Sequence, residues 1–248
     1  MSELINFKSE LKRTHLAPEF NYYIFEDTIK NIDFIKLASI ILEQEQNIIK
    51  NTKGKIGDKV LDGYTGLGAD SLTSRFSYFN LLTWESDIIK TLRHEIVNAH
   101  NNFLQKINVP MPEKLFIQCW ANVMRKGEQI KPHIHGVTPD SYIGGHIIVQ
   151  ANKTNTYYIN PITQTNEPVS YKSENKVGKI TLFQNFLPHF TSKVENDDIR
   201  ITIAFDMEVS ENPNSENSCF FRSDFCLSHL LITRRIFLLS FLKKEQIL

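Results

Sequence analysis

The sequence predicts an α+β fold with a mainly β core, an antiparallel sandwich or jelly roll with N-terminal helices packed outside it. Two helix-periodic stretches precede residue 114, and from Leu115 onward the chain changes to short segments rich in β-branched and aromatic residues. Gly, Pro, Asn and Asp separate these segments, and no helical pattern lies between them. A length of 248 residues with 41% hydrophobic content favours one main domain.

Two amphipathic helices are predicted in the first part of the chain. The first begins at Asp27 or Thr28 as its N-cap and carries apolar residues at mostly three- to four-residue spacing through Ile48. The second begins near Ser86, has a similar apolar stripe and ends before Pro110, because proline cannot continue a helix.

A glycine-rich stretch, 57–76, separates the two helices. Its glycines at 63, 66 and 68 superficially suggest a phosphate cradle, but neither a Gly-Lys-Ser/Thr sequence nor a complete dinucleotide fingerprint accompanies them. We therefore interpret the stretch as a surface loop or as a lid over an active site.

The β core is predicted to contain at least six short strands. Their expected positions are 115–125, 130–135, 143–150, 155–160, 179–184 and 199–208. The expected parts of the chain are accordingly a helical segment with the glycine-rich loop (1–114), the β core (115–209) and a linker with an apolar, basic tail (210–248).

The composition indicates which partners and which cellular compartment to expect for this protein. Lys and Arg total 28, as do Asp and Glu, so no overall field favours nucleic acid. Three cysteines without CxxC spacing and an N-terminus without a signal-peptide pattern favour the cytoplasm. Two arginines near the centre of 225–244 disfavour a membrane span. We expect that stretch to be an amphipathic helix docked on the protein or on the partner in a homodimer, with a tail unrelated to the core as the alternative.

The candidate chemistry begins with His133 and His135. On a strand, residues i and i+2 share a face, so both imidazoles can reach one metal ion. His189 follows a strongly apolar strand, 56 residues after His133, which leaves room for strands to return to the same site. Arg200 lies between apolar residues of the last core strand, and a buried guanidinium requires an anion. The alternative is that His189 is a turn histidine and Arg200 a surface charge.

The segment from Trp120 to Met207 resembles the 2-oxoglutarate/Fe(II)-dependent oxygenases, in particular a prolyl-hydroxylase-like branch with HxH in place of HxD. The similar blocks are CWANVMRKGEQIKPHIHG, YIGGHIIVQ, YYINP, GKITLFQNFLPHF and RITIAF. The resemblance implies a double-stranded β-helix, the jelly roll of the cupins. It also implies that His133 and His189 bind iron, and that Arg200, with Thr202 beside it, binds the far carboxylate of 2-oxoglutarate. Asn122 would hydrogen-bond the same co-substrate and Met124 would mainly pack.

His135 is the departure from this family, because most members have Asp or Glu at that position. As a third imidazole, His135 completes a metal site with His133 and His189. The alternative is that His135 contacts another ligand or the substrate and not the metal. Asp140 is a second candidate for the missing carboxylate. We expect His146 to be a packed or hydrogen-bonded core histidine, with a position facing the cavity as the alternative. We expect Trp120, Phe183 and Phe186 to belong to the core, with the wall of the substrate pocket as the alternative.

The expected function is therefore an Fe(II)- and 2-oxoglutarate-dependent dioxygenase, by default a hydroxylase, that consumes O₂ and forms succinate. Its substrate is a small molecule or a peptide side chain. We expect the stretches 57–76 and 151–176 to contribute residues to the substrate pocket. The alternatives are a three-histidine cupin dioxygenase or isomerase without 2-oxoglutarate, and a non-catalytic jelly-roll binding module.

Overall fold

The computed structural model describes residues 2–52, 62, 64–151, 153–161, 170–209 and 219–222. Within these ranges the chain forms two α-helices, α1 (Phe34–Thr52) and α2 (Asp87–Lys106), two short 3-10 helices (Thr73–Arg75 and Leu81–Thr83) and ten strands. The strands are β1 (Glu3–Lys8), β2 (Asn21–Thr28), β3 (Lys114–Met124), β4 (Ile143–Gln150), β5 (Asn155–Ile159), β6 (Ser170–Glu174), β7 (Lys179–Gln184), β8 (His189–Thr191), β9 (Arg200–Glu208) and β10 (Cys219–Arg222).

Seven of the strands form a large antiparallel sheet in the order β1-β2-β7-β4-β9-β3-β10. Successive side chains of a strand point to opposite faces of the sheet, so a central strand contributes side chains to the hydrophobic core on one face and to a cavity on the other. On β9, one face belongs to the main hydrophobic core, with Ile201, Ile203, Phe205 and Met207. The other face lines a cavity, with Arg200, Thr202, Ala204 and Asp206.

The remaining three strands form a small antiparallel sheet in the order β6-β5-β8. Thr156 of β5 and Thr191 of β8 line the cavity together with residues of the large sheet. Tyr158 packs with Ile24 and Phe183 in a second apolar cluster that joins the two sheets. Two antiparallel sheets enclosing one cavity make the jelly roll, and the predicted mainly β fold class is confirmed.

Both helices contribute to the core on the other face of the large sheet. One buried cluster contains residues of both helices and the strand residues that face away from the cavity. The helix residues in it include Leu37 and Ile41 of α1 and Ile89 and Phe103 of α2. The prediction for α2 is confirmed, since the helix begins after Ser86 as N-cap and ends before Pro110.

The predicted start of the first helix is wrong. Residues 21–28 form β2, which pairs with β7, and α1 begins only at Phe34. The backbone N–H of Lys36 donates to Asp33 Oδ1 at 3.0 Å, so Asp33 satisfies a free amide at the helix start. The strand was missed because Ile24 and Phe25, which point to opposite faces, are both fully buried, and no polar–apolar alternation marks it.

The strand predictions for 143–150 and 179–184 match β4 and β7, those for β5 and β9 differ by one residue at one end, and that for β3 is shifted by one residue at both ends. The predicted strand 130–135 is wrong, because this segment forms an isolated β-bridge between His133 and His189 and no continuous strand. Strands β1, β2, β6, β8 and β10 were not predicted. The large sheet therefore takes strands from all three expected parts of the chain.

The predicted tail helix at 225–244 lies outside the described residues. Neither α1 nor α2, the α-helices of the described part, is long and apolar enough to cross a membrane.

Candidate metal centre

Three histidine side chains meet in the cavity between the two sheets. His133, His135 and His189 each offer one ligand nitrogen, and these nitrogens all lie within 4.8 Å of one another. The ring centroids of His133 and His189 are 4.3 Å apart, and those of His135 and His189 are 5.0 Å apart. Such a cluster can place three imidazole nitrogens around one ion.

Backbone hydrogen bonds hold the histidines in register although residues 133–135 are not a regular strand. His133 and His189 exchange reciprocal N–H···O bonds, each 3.1 Å long. The N–H of His135 donates to the carbonyl of Asn185 at 2.8 Å. The two segments therefore pair at a few points only, and this pairing brings the HxH sequence against the end of β7.

Each histidine has its Nδ1 engaged by an acceptor. Nδ1 of His133 bonds the Lys131 carbonyl at 2.9 Å, and Nδ1 of His189 bonds the Leu187 carbonyl at 3.0 Å. Nδ1 of His135 bonds the carboxylate of Asp206. A carbonyl or carboxylate can only accept, so Nδ1 carries the proton and Nε2 keeps its lone pair for a metal.

Burial favours the neutral imidazole form of His133 and His189. Desolvation, followed by the neighbouring His135, lowers the pKa of His133 to about 4. Burial likewise lowers the pKa of His189 well below its ordinary value. Neutral imidazole is the form that binds metals, so these two residues offer ligands without first losing a proton.

Arg200 lies in the same cavity, which has a volume of about 130 Å³. Its side chain is 2% exposed, and burial lowers its pKa to about 10. Nη1 approaches Met124 Sδ at 3.5 Å, and Nε has no hydrogen-bond partner among the described residues. A buried guanidinium with a weak acceptor and an unpaired N–H is electrostatically incomplete and favours an anion.

The other predicted co-substrate residues also face the cavity. Thr202 and Asn122 line it and are opposite each other in the β3–β9 ladder, while Met124 is opposite Arg200. Asn122 Oδ1 accepts a hydrogen bond from the Thr73 hydroxyl, so this oxygen already has a donor.

Two cavity residues were not predicted as site residues. His146 of β4 is 8% exposed, and its Nε2 is unpaired within the described part of the chain. Asp206 follows Arg200 by six residues on the same face of β9. The alternation of that strand could have revealed Asp206, whereas nothing in the sequence GGHIIV distinguishes a cavity histidine from a packed one.

The aromatic expectations are met in part. Trp120 and Phe183 are well buried and line the cavity as well as the core. Phe186 packs edge-on against Tyr22. Asp140 is exposed and is not part of the histidine cluster.

The described end of the glycine-rich loop lies over the cavity. Thr65, Thr73 and Phe76 line it, and the Thr65 carbonyl accepts a bond from the N–H of Lys131 at 2.8 Å. Gly66 adopts a positive φ of 80°, and a Cβ there would come within 2.8 Å of the Lys131 side chain. A larger residue at position 66 would therefore be strained and would displace the lysine.

A jelly roll with a histidine cluster and a buried arginine in one cavity defines a candidate mononuclear metal protein. Residues 118–206 match the model of a family described as "Putative 2OG-Fe(II) oxygenase". The resemblance recognised in the sequence is thus confirmed at the level of this family over the core segment. A comparison with curated proteins finds no match.

Solved structures with a similar fold include oxygenases of low sequence identity. A Pseudomonas putida prolyl-4-hydroxylase is 9% identical, with 52% of this chain and 68% of that chain covered and a TM-score of 0.41. A Burkholderia pseudomallei oxidoreductase of the 2OG-Fe(II) oxygenase family is 15% identical, with 53% and 63% covered and a TM-score of 0.41. A Trichoplax adhaerens prolyl hydroxylase in complex with a hypoxia inducible factor peptide is 13% identical, with 74% and 83% covered and a TM-score of 0.48.

Proposed function

We propose that this protein is an Fe(II)- and 2-oxoglutarate-dependent oxygenase, by default a hydroxylase of a small molecule or a peptide side chain. The observation that carries the proposal is the cavity itself, which contains three clustered imidazoles whose Nδ1 atoms are engaged by acceptors, together with the incompletely paired Arg200. An oxygenase of this kind requires a metal ligand set and a cationic anchor for the co-substrate in one space.

The donor set fits the metal. His133, His135 and His189 offer nitrogen ligands, which suit ferrous iron, and would hold it in the cavity. When bound, Fe(II) supplies the chemistry in which O₂ oxidatively decarboxylates 2-oxoglutarate to succinate and CO₂ and a substrate C–H bond is oxidised.

The remaining polar residues would hold the co-substrate. Arg200 donates to the far carboxylate of 2-oxoglutarate, and the Thr202 hydroxyl donates beside it from the same strand face. His146 Nε2–H is a further donor to that carboxylate, since it opens into the same cavity without a partner in the described chain. Asn122 contributes through its amide nitrogen, because its oxygen already accepts from Thr73.

The walls of the cavity would exclude water from the reaction. Phe183, Trp120 and Phe76 surround it with aromatic surface, and the loop that carries Thr65 and Thr73 covers it. A dry, shaped cavity strengthens the electrostatic contacts to the co-substrate and shields the oxidant from side reactions.

A three-histidine cupin that does not use 2-oxoglutarate is the second candidate, since a ligand set of three imidazoles is its defining feature. The two candidates differ in whether a dicarboxylate occupies the Arg200 side of the cavity.

The deciding experiment is anaerobic reconstitution with Fe(II) followed by titration with 2-oxoglutarate. We expect a weak visible metal-to-ligand charge-transfer band that saturates with 2-oxoglutarate and does not appear with 2-oxobutyrate at the same concentration. Iron binding without the band would favour the cupin, and no binding of iron would leave a non-catalytic module.

A further inference from the structure

We propose that Asp206 provides, through His135, the negative charge that this metal centre lacks among its direct ligands. The inference rests on the proposed metal site and identifies Asp206 as a positioning residue, which touches a ligand and not the metal. It also assigns a role to His135, the residue at which this chain departs from the HxD pattern.

The contact is specific to one of the three histidines. His133 and His189 donate from Nδ1 to neutral backbone carbonyls, whereas His135 donates to the Asp206 carboxylate. The side chains of His135 and Asp206 are 7% and 24% exposed, so the pair is largely shielded from water. A carboxylate behind a histidine raises the basicity of the ligating nitrogen, which a carbonyl does less strongly.

The surrounding backbone leaves room for this contact. Gly144 on β4 is the ladder partner of Asp206 on β9. A Cβ at Gly144 would lie 2.9 Å from His135 Nδ1 and 2.8 Å from Asn185 Oδ1. Any side chain at position 144 would therefore intrude on the nitrogen that bonds Asp206, and a glycine is required there.

The position of Asp206 also keeps Arg200 available. Both residues lie on the cavity face of β9, and six residues of extended strand separate their Cα atoms by about 20 Å. The carboxylate thus compensates the metal end without forming an ion pair with the guanidinium. With a third imidazole, the metal site is more positive by one charge than a site of two histidines and one carboxylate. Asp206 supplies the missing negative charge through its hydrogen bond to His135 and not by direct contact with the metal.

The test measures metal affinity, with Co(II) as an oxygen-stable probe in competition with a chelator. We expect Asp206→Ala to weaken Co(II) binding by about 10- to 100-fold, the usual effect of removing such a partner. Asp206→Asn keeps an acceptor for Nδ1–H but removes the charge, and we expect it to lose about tenfold. Asp140→Asn is the matched control, because Asp140 is exposed outside the cluster, and it should leave the affinity unchanged.

A double-mutant cycle separates this role from others. In a His135→Ala background, Asp206→Asn should cause no additional loss, because its effect acts through His135. An additional loss would overturn the inference by showing that Asp206 contacts the metal itself. Affinities of Asp206→Asn and Asp206→Ala within twofold of wild type would also overturn it. Failure of the wild-type protein to bind Co(II) or Fe(II) would overturn the proposed function together with this inference.

Discussion

The two ends of the cavity differ in how completely their polar groups are paired. At the histidine end, every Nδ1 has an acceptor, and backbone bonds hold His133, His135 and His189 in place. At the arginine end, Arg200 Nε and His146 Nε2 have no partner in the described chain. The first end is therefore held in one geometry without any ion, whereas the second would be completed only by a ligand that brings acceptors.

The largest expected effect is at the histidine end. Replacing His133 or His189 with Ala removes a direct ligand, so metal affinity should fall by more than the about 10- to 100-fold typical of outer partners. Isothermal titration with Co(II) measures this. His94→Ala, at an exposed helical position, is the control and should bind as wild type does. Unchanged affinity in both ligand variants would place the metal elsewhere.

At the arginine end we expect a loss confined to the co-substrate. Arg200→Met should weaken 2-oxoglutarate binding by about 10- to 100-fold, because charge-assisted hydrogen bonds contribute about 1.5–3 kcal/mol each. Its metal affinity should be unchanged, and Arg13→Met, an exposed charge change, should affect neither. Equal 2-oxoglutarate affinity in Arg200→Met and wild type would contradict the assignment.

Although Arg200→Met should weaken 2-oxoglutarate binding, we do not expect it to destabilise the ligand-free fold. Arg200 is buried with an incomplete set of partners, so its desolvation is not fully compensated in the ligand-free protein. The free energy of unfolding of ligand-free Arg200→Met, measured in urea, should therefore equal or exceed that of wild type. A loss of about 2 kcal/mol or more would show instead that Arg200 already stabilises the fold.

His146 should have a smaller effect at the same end. A hydrogen bond to a charged group contributes about 1.5–3 kcal/mol, and a single N–H of a neutral imidazole lies at the low end of that range, so His146→Leu should weaken 2-oxoglutarate binding by about tenfold. It should also reduce the preference for 2-oxoglutarate over 2-oxobutyrate, which lacks the far carboxylate. His146→Gln keeps an N–H donor and should partly restore both. His100→Gln, a buried histidine hydrogen-bonded to Tyr142 instead, is the control.

Where the loop meets the cavity, we expect an effect on stability and none on metal binding. Thr73→Val removes the hydroxyl that donates to Asn122 Oδ1 at nearly constant volume. We expect a loss of about 1 to 2 kcal/mol in the free energy of unfolding, because a buried acceptor is left unpaired. Metal affinity should not change. A change in metal affinity would mean that the loop and the histidine end are coupled.

Local patterns predicted the parts of this protein that obey a simple period. The helix stripe of α2 and the β-branched runs of β4 and β7 gave their bounds closely, and the motif residues His133, His189 and Arg200 are brought into one cavity. Strand β2 was misread because burial on both faces removes the alternation on which the prediction depends.

The sequence by itself therefore determined the fold class, the positions of five core strands (β3, β4, β5, β7 and β9) and the residues that carry the HxH, His and Arg pattern. Only the tertiary structure decided that Asp206 bonds His135, that Gly144 leaves space for this bond, and that His146 opens into the cavity. Those relations depend on the register between strands that are distant in sequence. A one-residue shift in that register would send each of these side chains to the opposite face of the sheet.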